Sequence, residues 1–147
     1  MKRLLIVFMC ALLGVFMVGC GDNGDSNGAG KKAEMTKEET LECLEQITYR
    51  LVEAEEKENG SFEQRSSLQA AIARSESVLE EINEEYEDCP EIIKSAASYT
   101  KVGARKGLDE QYVYIEISLE RAAKEIEDAI GELPPTLAGF VKGFVKD

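Results

Sequence analysis

Between Leu41 and Leu133 the apolar residues return every three or four positions, with Glu, Lys and Arg in most of the places between them. That spacing follows the 3.6-residue turn of an α-helix, not the two-residue alternation of a strand. The chain is thus built from amphipathic helices, each with one face to bury against its neighbours. The first begins at Thr36, where Thr36 and Glu39 fit a capping box, and carries Leu41, Leu44, Ile47, Leu51 and Ala54 toward a stop near Asn59-Gly60. A second starts at Ser61 with Gln64 or at Ser66 with Gln69. Its stripe of Leu68, Ala71, Ile72, Ser75, Val78, Leu79, Ile82 and Tyr86 is broad enough to face a globular core.

Asp88-Cys89-Pro90-Glu91 interrupts this pattern, because proline breaks a helix interior but suits a first helical position. Ile92, Ile93, Ala96, Ala97, Tyr99 and Val102 then predict a shorter third helix ending by Gly103 or Gly107. Asp109 is the expected cap of a fourth, which holds its period through Tyr112, Ile115, Leu119, Ala122, Ile126, Ala129, Ile130 and Leu133. Tyr112 to Ile117 is rich in strand formers, yet it runs without a breaker into Ser118 to Lys124. A lone strand without partners is hard to stabilise, so helix is expected here. Gly131 and Pro134-Pro135 end this helix before a tail. The fold class predicted is all-α: an antiparallel bundle of three to four helices over residues 36–133, then an amphipathic C-terminal tail, residues 134–147.

The chain opens with Lys2 and Arg3 and an apolar run from Leu4 to Val18, the layout of an export signal. The run is short of the roughly 20 apolar residues of a spanning helix, so it reads as a leader, residues 1–19, to be removed. Met17-Val18-Gly19-Cys20 resembles the lipobox of bacterial lipoproteins, and the resemblance covers the first 20 residues only. It implies that the thiol of Cys20 is diacylated and that the chain is cut before it. The mature protein is then held by lipid in the cell membrane or outer membrane, facing the periplasm or the cell exterior. Residues 20–35 read as the lipidated cysteine and a Gly/Asn/Asp-rich flexible tether. Lys31 and Lys32 end its glycine-rich stretch, as solubilising residues or as contacts for anionic lipid.

Losing residues 1–19 removes two positive charges and no negative one, taking the formal net charge from -12 to -14. A chain so acidic repels phosphate backbones, and nucleic acid is not an expected partner. With no histidine, Ser-His and Cys-His nucleophile pairs and His-ligated zinc or haem are excluded. No enzyme activity, cofactor or metal site is expected. The leading expectation is a non-enzymatic interaction module of the bacterial envelope with an envelope protein partner. The alternative is a helical lipoprotein that binds a small ligand or a divalent cation.

Four features qualify as candidate sites. Cys43 and Cys89 form an even pair in an oxidising compartment, and a disulfide between them is expected. Geometry sets a condition on it: with a turn at Asn59-Gly60, Cys43 lies opposite residue 77, and Cys89 sits 12 residues further. That is about 18 Å at 1.5 Å per residue, against the roughly 7 Å that a disulfide's two α-carbons allow. The bond needs a longer turn, or a corner at Cys89 that folds back.

Acidic clusters at Glu53, Glu55, Glu56 and Glu58 and at Glu80, Glu81, Glu84, Glu85, Glu87 and Asp88 read as solvated helix faces. No calcium-binding loop organises them. Lys94, Lys101, Arg105 and Lys106 form a local positive patch, suited to an acidic partner or phosphate, or simply to the end of a helix. In the tail, Leu137, Phe140, Val141, Phe144 and Val145 share one helical face with lysines beside it. That face docks on the bundle, dips into the membrane interface, or fits the groove of a partner.

Overall fold

The structure, a computed structural model, describes residues 30–145, the Val145 side chain excepted. The leader, Cys20 and the tether up to residue 29 lie outside the described residues.

Five helices follow one another among the described residues: α1 Lys37–Glu55, α2 Phe62–Glu85, α3 Glu91–Leu108, α4 Val113–Ile130 and α5 Pro135–Val145. Consecutive helices pack side by side through α4, as short connections require. The all-α bundle expected from the period is what forms. The tail adds to it a fifth helix, lying on α1 and α4.

The first two helix starts have local causes. Thr36 Oγ1 accepts from the Glu39 backbone N–H at 3.1 Å, and the Thr36 N–H donates back to Glu39 Oε2 at 2.9 Å, which completes the capping box. Ser61, the earlier of the two alternatives, caps α2 by accepting from the Gln64 N–H. Gln64 does not close the box. Its buried amide instead accepts from the Gly60 N–H and donates to Ala54 O and Asn59 Oδ1, so one side chain ties the end of α1 to the start of α2.

Two boundaries differ from expectation. α3 runs past Gly103 and Gly107 to Leu108. Those glycines are places of close approach, since a Cβ on Gly103 would stand 2.7 Å from Ser118, and one on Gly107 would stand 2.9 Å from Ile115 and Leu68. The stop is made further on by Glu110, in left-handed backbone with φ 66. Its N–H donates to Gly107 O, and that of Gln111 donates to Lys106 O, the pair of bonds of a Schellman motif. Asp109 therefore ends α3 and does not cap α4, which starts at Val113 after Tyr112 without a side-chain cap.

The core is formed by Leu44, Ile47, Leu51, Leu68, Ile93, Ile115, Leu119 and Ile126, all with at most 1% exposure, and Leu137 of α5 joins them at 0%. Burial of each such side chain contributes about 1.5–3 kcal/mol. On α3 the inward residues are mostly small: Ala96, Ala97, Thr100, Gly103, Ala104 and Gly107. This lets α3 pack closely against its neighbours, and the Thr100 hydroxyl is buried there without a hydrogen-bond partner.

Lys31 and Lys32, read as the end of the free tether, are attached to the bundle. The Lys32 N–H donates to Glu85 O at 2.8 Å, and Lys32 O accepts from the Glu87 N–H at 2.9 Å, an isolated parallel bridge at Tyr86. Lys31 Nζ donates to Asn83 O at 2.7 Å, Lys32 Nζ lies 5.5 Å from the centre of the Tyr86 ring, and Met35 packs on the core. The chain thus enters the bundle where α2 ends.

Candidate functional site

Cys43 and Cys89 are not bonded, contrary to the expected disulfide. α2 begins directly after Ser61, the short-turn geometry, and Cys43 comes to lie beside the last turns of α2, near Glu81 and Glu85, where the Cys89 thiol is close enough to influence it but is not joined to it. Cys43, half-buried on α1, has its thiol pushed up to about 12 by burial, with the carboxylates of Glu42 and Glu81 adding to the effect. Burial also raises the Cys89 thiol, and Lys94 partly opposes it. The Cys89 Sγ–H donates to Pro90 O at 3.7 Å. Both thiols stay protonated at neutral pH, and a protonated thiol is a poor nucleophile.

The acidic clusters are spread over the surface. Arg50 pairs with Glu53 at 2.7 Å and Arg74 with Glu81 at 3.1 Å, while Glu80, Glu84, Glu87 and Asp88 point to solvent. Glu55 has its carboxyl raised, first by burial and then by Glu116 and Glu56. Among the described residues no group of three or more Cys, Asp or Glu side chains is arranged to hold a metal ion.

A shallow groove opens between the start of α3 and the end of α4, lined by Glu91, Ile92, Ser95, Glu125, Asp128 and Ala129. On its wall Glu125 accepts from the Ser95 hydroxyl at 2.5 Å and from the Tyr99 hydroxyl at 2.6 Å. These two bonds, Ser95 first, hold its carboxyl below the usual range. They clamp α4 to α3. Sequence reading missed this cluster, because its three members sit on the polar sides of two separate helices.

The positive patch lies along the outer side of α3. Lys94 pairs with Glu91 at 2.9 Å, Arg105 stands 3.9 Å from Glu76 of α2, and Lys106 Nζ lies 5.4 Å from the centre of the Tyr114 ring of α4. Among the described residues Lys101 has no carboxylate within ion-pair distance. Val102, 45% exposed, and Tyr114, 40% exposed, add apolar surface to this face.

In the tail helix the apolar residues divide. Leu137 is fully buried and Phe140 and Val141 are half-buried against the core, whereas Phe144 keeps 45% of its surface exposed. Phe140 and Phe144 meet edge to face, ring centres 4.7 Å apart. Glu45 of α1 holds the first turn of α5 by accepting from both the N–H and the hydroxyl of Thr136. The sequence carried a faint signal for this: Pro134, at the cap position, has no side-chain acceptor, so the exposed N–H groups of α5 had to find one elsewhere.

Comparison with protein-family models, with curated proteins and with solved structures finds no match to this chain.

Proposed function

We propose that this chain is a lipid-anchored, extracytoplasmic interaction module of the bacterial envelope, non-enzymatic in its action. The observation that carries the reading is Met17-Val18-Gly19-Cys20 behind a basic start and an apolar run, with Cys20 as the lipidated residue. The fold supports it in two ways. The bundle buries a continuous core of its own, and it takes up the chain from Lys31 onward by the bonds to the end of α2. Ten residues separate Cys20 from Lys31, a stretch that spans at most about 35 Å. The domain is then kept within that distance of the bilayer, where its surface meets other envelope proteins.

The test is mass spectrometry of the protein extracted from membranes, beside a Cys20→Ser variant. A chain starting at an acylated Cys20, and loss of membrane association in the variant, are the expected results. An intact leader, or an unmodified Cys20 thiol on a membrane-bound chain, would overturn the anchor.

A further inference from the structure

From Ile92 to Leu108 the chain has Lys94, Lys101, Arg105 and Lys106 and no carboxylate, in a protein with 29 acidic residues and a net charge of -12. The helix turns these four side chains outward. Lys94, Lys101 and Arg105 are spaced i, i+7 and i+11, one row along α3, and Val102 lies between that row and Lys106. The inward arc is taken by Ile93, Ala96, Ala97, Thr100, Gly103, Ala104 and Gly107, so this face has no part in the core. Its positive charge is neutralised only at exposed pairs: Lys94 with Glu91 at 2.9 Å and Arg105 with Glu76 at 3.9 Å, all four side chains more than half exposed, while Lys101 has no carboxylate within ion-pair distance among the described residues. Such exposed pairs exchange readily for others. Tyr114 is held beside Lys106, and with Val102 it offers apolar surface within the basic strip.

We infer that the outer face of α3, centred on Lys101, Val102, Arg105, Lys106 and Tyr114, is a docking strip for an acidic segment of a partner protein. The inference rests on the reading of this chain as an interaction module. Charge complementarity selects the sign of the partner, because cationic side chains gathered on a strongly acidic molecule attract carboxylates while the surrounding surface repels them. The width of the strip selects its kind. The strip is one helix wide, about 10–12 Å with side chains, and along α2 it borders the exposed carboxylate of Glu76, 3.9 Å from Arg105, with the exposed Glu80 one helical turn further on. A broad anionic bilayer laid on this face would bring its head groups within a Debye length, about 8 Å at physiological salt, of those carboxylates. A single acidic helix or extended segment lies along the lysines and avoids them. Its apolar side chains cover Val102 and Tyr114.

The experiment places a photo-crosslinking benzophenone amino acid at Val102 in the full-length, membrane-anchored chain, with the same group at the exposed Phe62 as a second position. Membranes are irradiated and the joined peptides sequenced. Supporting the inference, the Val102 product is a protein segment rich in Asp and Glu, and its yield falls at least tenfold with Lys101→Glu and Arg105→Glu. Lys101→Gln with Arg105→Gln lowers the yield in the same direction should the reversal unfold the domain, and circular dichroism reports which case holds. Products on lipid, a partner segment without acidic excess, or a yield indifferent to charge reversal overturn it. Protein products from Phe62 alone remove this strip but leave the interaction module standing, and no protein product from either position removes both.

Discussion

Glu45, midway along α1, accepts the backbone N–H of Thr136 at 3.0 Å and also its hydroxyl, across 91 residues of sequence. An acidic side chain of one helix thereby serves as the N-terminal cap of another. Its negative charge also suits the positive end of the α5 dipole. With Leu137 it forms the main attachment of α5. Glu45→Ala should cost about 1–2 kcal/mol and act locally: amide exchange in α5 speeds up and the tail becomes open to proteases, while α1 to α4 keep their protection. Glu45→Gln retains an acceptor and should lose less. Uniform acceleration of exchange through all five helices would contradict this account.

Gly103 and Gly107 should respond differently to alanine. A Cβ at Gly103 meets the Cβ and Oγ of Ser118 at 2.7 Å, and a Cβ so near its own backbone can yield only if α4 moves. At Gly107 the obstacles at 2.9 Å are the terminal methyls of Ile115 and Leu68, which can rotate aside. Against both runs the gain of about 1 kcal/mol from replacing glycine inside a helix. Gly103→Ala should destabilise by about 1–3 kcal/mol net, in the range of overpacked cores. Gly107→Ala should stay within about 1 kcal/mol of the parent. Urea denaturation of the two variants decides the order, and an equal cost for both would refute it.

These glycines also mark where the sequence was legible and where it was not. The helix faces followed from the apolar period. Thr36 with Glu39 gave the first start and Ser61 or Ser66 narrowed the second to two places, because caps are local chemistry, and the structure uses Ser61. The end of α3 was illegible, because Gly103 and Gly107 have the composition of a stop but the tertiary role of small contact residues. The true stop rests on Glu110, a residue type that seldom adopts positive φ. Glu45–Thr136 and Glu125 with Ser95 and Tyr99 were hidden for another reason: each joins positions 26 to 91 residues apart. No local pattern encodes such a meeting. The positive row on α3 was visible as a charge run, but only the packing shows that it faces outward.

Glu110→Gly tests the cause of that stop. Glu110 holds φ 66, which glycine adopts without steric cost, and among the described residues its one ion pair, to Arg65 at 3.6 Å, is exposed. Releasing the strain should give about 1 kcal/mol, while loss of the pair takes back a few tenths at most. A domain of this size should then melt about 3–6 °C higher. A lower melting temperature would mean that the motif depends on the Glu110 side chain.

The Cys43 thiol, finally, gives the fold a predicted weakness at high pH. Its pKa is raised from 9.0 to about 12 in the folded chain, mainly by burial. The thiol then ionises in the unfolded chain at a lower pH than in the folded one, so its protonated form favours the fold up to about pH 9 and that advantage shrinks as pH rises toward 12. Tyr86, also raised by burial and by Glu39, acts in the same direction. Melting temperature should therefore fall through this window, and Cys43→Ala should flatten part of the fall. The same shift lowers the thiolate fraction at pH 8, so iodoacetamide should modify Cys43 in the folded protein on the order of 10²–10³-fold more slowly than in urea. Alkylation at equal rates in both states would show that the thiol is neither buried nor shifted.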